Sequence, residues 1–139
     1  MGSILCATRG GEESIHTEEA AIEQAAAAGD VLIFFYVVDV EFLAQAQYTL
    51  RSDIVHEELQ EMAELLMTLA VERAQDRGVK ATSLIRHGVF LDELVIAAAE
   101  VGAEQVILGR PHDADDAERL AETAERLSSE TGIRFVILP

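Results

Sequence analysis

Apolar and polar positions divide this chain into nine segments of two different periods. Residues 3–8, 31–38, 105–108 and 133–138 are short, nearly unbroken apolar runs, the pattern of strands covered on both faces. Residues 13–28, 52–77, 91–101 and 115–131 instead repeat their apolar positions at helical spacing. Residues 79–86 alternate, with Lys80, Thr82 and Arg86 between Val79, Ala81 and Ile85, which marks a strand with one wetter face. Glycine closes each helical segment: Gly29 precedes Val31, Gly78 precedes Val79, Gly102 precedes Val106 and Gly132 precedes Ile133. A left-handed glycine just past a helix end is the expected stop. The reading is β-α-β-α-β-α-β-α-β, a parallel sheet covered by helices.

The second apolar run, Val31-Leu32-Ile33-Phe34-Phe35-Tyr36-Val37-Val38, shows no alternation and belongs at the sheet centre. In the first helix Ala20, Ala21, Gln24, Ala25 and Ala28 form a flat packing face. In the second, the stripe Leu59, Met62, Leu66, Leu69 and Arg73 is expected to face the sheet, its methionine serving as core. The third helix is nearly all apolar or alanine on one side, and the fourth keeps Leu120, Ala124 and Leu127 within a charged exterior. Residues 41–50 form the longest irregular connection. With right-handed crossovers and an edge-like third strand, the expected strand order is 3-2-1-4-5. That is a three-layer open α/β sandwich, a five-stranded parallel sheet with four helices, forming one domain over residues 1–139. Ligands in such sheets bind beyond the carboxyl ends of the strands where the order reverses, here strands one and four. The turns to inspect are Arg9-Gly10-Gly11 and residues 109–116.

Charge narrows the possible partners. The net charge is −16, from 26 acidic and 10 basic residues, and such a surface repels nucleic acid and anionic membranes. Neither is expected as a partner. Lys80 is the one lysine, a bias that fits a salt-adapted source or GC-rich coding equally well. The single cysteine, Cys6, excludes an internal disulfide framework and falls inside the first apolar run as a small core residue. No apolar run approaches the roughly 18–20 residues of a membrane span, and Met1-Gly2-Ser3 leads straight into a strand. The expected location is cytoplasmic.

Catalytic motifs are missing: there is no nucleophile elbow, P-loop or catalytic cysteine pattern. The chain is not expected to be an enzyme, and no catalytic residue is assigned. His112 with Asp113, Asp115 and Asp116 raises the question of a divalent metal. Capping of the fourth helix accounts for the aspartates and no second histidine is near, so no metal is assigned. Arg9, His87, Arg110 and His112 fall near one sheet edge and are open to two readings: a small-anion site, or arginines paired with Asp39, Asp113 or Asp116. The abundance of acidic neighbours favours the second. His16 and His56 sit in polar helical contexts and read as surface residues.

Four stretches together resemble the universal stress protein family over essentially the whole chain. They are Ile4-Leu5-Cys6-Ala7-Thr8-Arg9-Gly10-Gly11-Glu12-Glu13-Ser14, then Phe35-Tyr36-Val37-Val38-Asp39, then His87-Gly88-Val89, and finally residues 102–110 ending on Leu108-Gly109-Arg110. The resemblance implies the same strand order, an adenine nucleotide alpha hydrolase-like fold. In the family's nucleotide-binding branch it implies ATP between strands one and four. An aspartate after strand one binds the ribose, a valine late in strand two packs beside adenine, and a pattern G-x2-G-x9-G-[S/T] holds the phosphates. Carried onto this chain, the cleft positions are Thr8, Arg9, Val37, Leu108, Gly109, His112 and Thr123.

Most of those contacts are replaced. Arg9 stands at the aspartate position, a five-donor cation where a hydroxyl acceptor belongs. Val37 and Gly109 remain, but His112 and Glu122 stand at the second and third glycines, with Thr123 at the hydroxyl position. Side chains there occupy space that glycine leaves for phosphate, and the aspartates after Gly109 add repulsion. The expectation is a degenerate nucleotide site with no cofactor, the alternative being an ATP- or AMP-binding stress sensor. The expected role is regulatory or protective, through contacts with an unidentified protein partner. Strand five, apolar on both faces at a sheet edge, needs a pairing strand. The resemblance implies antiparallel pairing of these last strands, a homodimer through Phe135, Val136, Ile137 and Leu138.

Overall fold

Five strands pair side by side in one parallel sheet of order β3-β2-β1-β4-β5, as the hydrophobic pattern requires. The computed structural model describes residues 2–9, 12–39 and 52–138. The expected turn at Gly10-Gly11, the connection over residues 41–50 and the side chains of Asp39 and His56 lie outside the described part. In chain order the elements are β1 (Ser3–Ala7), α1 (Glu12–Ala28), β2 (Val31–Asp39), α2 (Ser52–Asp76), β3 (Ala81–Gly88), α3 (Phe90–Glu100), β4 (Gln105–Gly109), α4 (Ala114–Thr131) and β5 (Arg134–Leu138).

Successive side chains of each strand point to opposite faces, and this sorts the core into two layers. Ile4, Cys6, Leu32, Phe34 and Ile107 face Ala21, Ile22 and Ala25 of α1 and Met67, Ala70 and Ala74 of α2. Leu5, Ala7, Ile33, Phe35, Val106 and Leu108 face Leu94, Ala97 and Ala98 of α3 and Ala124 and Leu127 of α4. The unbroken apolar runs of β1, β2 and β4 are therefore those buried from both sides.

β3 begins two residues later than its alternation predicts, and the cause is the end of α2. Gly78 is left-handed (φ 77), its N–H bonding Gln75 O while Val79 N–H bonds Ala74 O at 3.0 Å. That pair of bonds is a Schellman ending, so Val79 belongs to the helix stop and sheet pairing starts at Ala81 opposite Leu32. Gly29, Gly102 and Gly132 end the other helices in the same left-handed conformation.

Two helix faces differ from expectation. On α1 the buried residues are Thr17, Glu18, Ala21, Ile22 and Ala25, while Ala28 is exposed. On α2 the sheet-facing residues are Ala63, Met67, Ala70 and Ala74, whereas Met62 and Leu69 of the expected stripe point to solvent. Close approach of helix to sheet favours the small side chains, so the alanine stripe is buried and the larger residues are turned out.

Candidate functional site

The order reversal puts the carboxyl ends of β1 and β4 side by side, with Cys6 in register with Ile107. Two residues on, Thr8 is buried and tied into the sheet through its N–H to Phe35 O at 2.9 Å. Its hydroxyl donates to Glu18 Oε2 at 2.6 Å. Glu18, 1% exposed, uses its other oxygen to receive Arg73 of α2 in an ion pair. A buried carboxylate requires such partners, since leaving one unpaired in the interior costs several kcal/mol, on the order of the penalty for a lost ionic partner. The network stitches β1, α1 and α2 together at the carboxyl end of β1. It also bears on Cys6: burial pushes the thiol well above its ordinary range, and the nearby Glu18 charge adds to the effect. Such a thiol is an inert core group.

Arg9 itself is exposed, and its N–H bonds Ser14 Oγ at 3.2 Å, a contact at the start of α1. The ion pairs among the described residues are Arg73–Glu18 and Arg86–Glu100, and neither Arg9 nor Arg110 takes part in them. Of the expected partners Asp39, Asp113 and Asp116, neither Asp113 nor Asp116 pairs with Arg9 or Arg110, and the Asp39 side chain lies outside the described part. His87 lies on the edge strand β3, opposite Val38, with its ring bonded to Gln60 Oε1 at 2.7 Å. His87 is thus engaged with α2, two strands away from β1.

On the other side of the crevice, Leu108 is buried and Gly109 closes β4. A methyl group at position 109 would lie 2.9 Å from Thr17 Oγ1, so this glycine lets α1 approach the strand end. Any larger residue at 109 therefore requires the Thr17 side chain to shift. His112 is exposed, and α4 begins at Ala114 behind its cap, Asp113. Asp113 Oδ1 accepts from the N–H groups of Asp115 at 2.8 Å and Asp116 at 3.1 Å. These are the free donors that make a helix start attractive to phosphate, and here a carboxylate of the chain already holds two of them. Asp115 and Asp116 add negative charge in the first turn, favourable to the helix dipole and hostile to a second anion.

α4 runs unbroken from Ala114 to Thr131, so Glu122 and Thr123 lie in its interior. Eight or nine residues of helix carry them about 12–14 Å along the axis from its start. The structure thus brings Thr8, Arg9, Leu108, Gly109 and His112 to one edge and sets Thr123 apart from them. Val37 lies late in β2, half-buried and packed with the α3 and α4 layer. Among the described residues no group of three or more His, Cys, Asp or Glu is arranged to hold a metal ion, and His112 with the nearby aspartates does not converge in that way. No helix among them is long and apolar enough to cross a membrane.

Glu18 and Thr17 were not legible as site residues from the pattern of the sequence. Both sit in a run of polar residues at the start of α1, Ser14 to Glu19 broken by one isoleucine, that reads as solvated. The available signal was the spacing, because positions 17, 18, 21, 22 and 25 form one helical face.

The family model for universal stress proteins matches residues 1–131. This chain belongs to the universal stress protein family. Solved structures agree with that placement. A universal stress protein family member from Burkholderia pseudomallei is 25% identical, with a TM-score of 0.74, covering 99% of this chain and 96% of that one. A universal stress protein in complex with cAMP is 21% identical (TM-score 0.72; 99% and 97% covered) and shares the fold. So does the universal stress protein from Archaeoglobus fulgidus in complex with dAMP, at 15% identity (TM-score 0.64; 100% and 98% covered). No curated protein sequence matches this chain.

Proposed function

We propose that this universal stress protein is a non-catalytic regulatory or protective protein whose nucleotide crevice is degenerate, and that it acts through protein contacts. One observation carries the reading: the N–H groups opening α4 are taken by the Asp113 carboxylate, at the point where a phosphate would dock. Arg9 at the ribose position and the intact helix through Glu122 and Thr123 support it. No cofactor is assigned on this reading. The protein is expected to be a cytoplasmic homodimer, paired through Phe135, Val136, Ile137 and Leu138 on the edge strand β5. Phe135 and Ile137 pack towards α4, and Leu138 towards the opposite layer, so the free backbone edge of β5 is flanked by apolar residues.

The alternative is an ATP- or AMP-binding stress sensor, favoured by relatives of the same fold that hold cAMP and dAMP. Heat-denaturing the purified protein and assaying the supernatant for adenine nucleotide separates the two. The proposed reading expects none, and stoichiometric nucleotide overturns it. Solution scattering tests the dimer, which a monomeric mass at micromolar concentration contradicts.

A further inference from the structure

The outer face of α2 carries a second kind of surface. Met62, Leu65 and Leu69 are 52%, 56% and 42% exposed, and their spacing puts them on one side of the helix, opposite the buried Ala63, Met67, Ala70 and Ala74. Single exposed leucines are ordinary, but three large apolar residues adjoining over two turns make a continuous stripe. Its frame is mainly acidic: Glu58 lies one turn before Met62, Glu61 stands beside it, and Glu72 and Asp76 lie beyond Leu69. All four carboxylates are exposed. The intervening cation, Arg73, is already paired with the buried Glu18.

We infer that this stripe is a docking face for a basic amphipathic helix of another protein. An apolar stripe between carboxylates is complementary to a helix that lays leucine-like side chains along it and flanks them with Lys or Arg. Charge also discriminates against other occupants. A second copy of a chain with net charge −16 would bring matching carboxylates against Glu58, Glu61, Glu72 and Asp76. An anionic lipid surface meets the same repulsion. The face uses the outer side of α2, whose crevice-side contact is Arg73, and no residue of β4, α4 or β5, so it stands or falls independently of how those are read.

The test uses the full chain and a synthetic helix of about five turns built from leucine on one face and lysine on the other. A matched peptide with glutamate in place of lysine serves as control, with binding read by fluorescence anisotropy at physiological salt. The wild-type protein is expected to bind the lysine peptide and not the glutamate peptide. The double variant Leu65→Ser/Leu69→Ser should weaken binding by about tenfold or more. The double variant Glu58→Gln/Glu72→Gln should weaken it less and flatten its salt dependence. Unchanged circular dichroism and a cooperative urea transition, with a modest drop in midpoint for Leu65→Ser/Leu69→Ser because both leucines are partly covered, certify that the variants fold. Equal binding by wild type and Leu65→Ser/Leu69→Ser overturns the inference, since generic attraction to an acidic protein would then suffice. Absence of binding to the lysine peptide overturns it as well. A wild-type dimer that Leu65→Ser/Leu69→Ser converts to monomer would assign the face to a second copy and reject a basic partner.

Discussion

On the β1 side of the crevice, the inner wall is held by the buried Glu18, which takes the Thr8 hydroxyl on one oxygen and Arg73 on the other. On the β4 side, the outer wall carries Asp113, an exposed carboxylate folded onto the first N–H groups of α4. The two carboxylates do similar electrostatic work at very different depth. Glu18 is part of the packing and links three elements, so its removal should be felt by the whole fold. Asp113 serves one helix end in water, so its removal should be felt locally, at the very place where an anion would bind. The inner wall is therefore expected to be bound up with stability, and the outer wall to tolerate change without threatening the fold.

The sharpest way to break that comparison is Glu18→Ala. It removes the carboxylate that accepts from the Thr8 hydroxyl and pairs with Arg73, though Arg73 is partly exposed and recovers some hydration. A loss of about 2–3 kcal/mol is expected in urea unfolding, below the range for a fully buried pair. Replacing both partners with apolar residues, Glu18→Leu with Arg73→Met, should restore part of it. If Glu18→Ala costs no more than a surface substitution, the inner wall is not structural.

Gly109→Ala probes the packing between the two walls. The added methyl meets Thr17 Oγ1 at 2.9 Å, and an overpacking cost of about 1–3 kcal/mol is expected. Thr17→Ala should rescue it, and a double-mutant cycle measures the coupling. Simple additivity of the two changes would mean that Gly109 is not held to glycine by α1.

Cys6 reports on the inner wall through pH. Its thiol is raised in the folded protein by burial and then by Glu18, while the unfolded chain ionises near the ordinary value of 9.0. Below that value both states keep the proton and stability is unaffected. Above it the unfolded state loses a proton that the folded state retains, so stability falls as pH rises, by about 1.4 kcal/mol per pH unit from this group. Urea midpoints from pH 8 to about 10.5 should show the slope, and Cys6→Ala should remove it. Identical slopes in both proteins would contradict the buried, Glu18-facing position of the thiol.

Asp113→Ala is the mildest change. Loss of an N-cap costs about 1 kcal/mol, and the urea midpoint should shift accordingly without further disturbance.

The sheet order, the four glycine stops and the double burial of β2 were legible because each rests on a local pattern with a single geometric solution. Unbroken apolar runs demand two covered faces, and a glycine after a periodic segment marks a left-handed stop. The helix faces were less legible. Large apolar residues such as Met62 and Leu69 suggest a buried stripe, yet it is Ala63, Ala70 and Ala74 that approach the sheet. Small side chains carry little hydrophobic signal, although they decide how closely layers pack. Glu18 escaped for the opposite reason, since a polar residue among polar neighbours looks solvated until its partner from α2 is seen. At the outer wall the aspartates after Gly109 were legible as capping residues, but not the division of labour among them. Only Asp113 caps; Asp115 and Asp116 donate their backbone N–H groups to it.

Calorimetric titration of ATP into the wild type and into Asp113→Gly tests the central claim most directly. The account predicts no binding heat for the wild type up to millimolar nucleotide, and weak, salt-sensitive binding once the carboxylate is gone. Micromolar binding of ATP to the wild-type protein would contradict it.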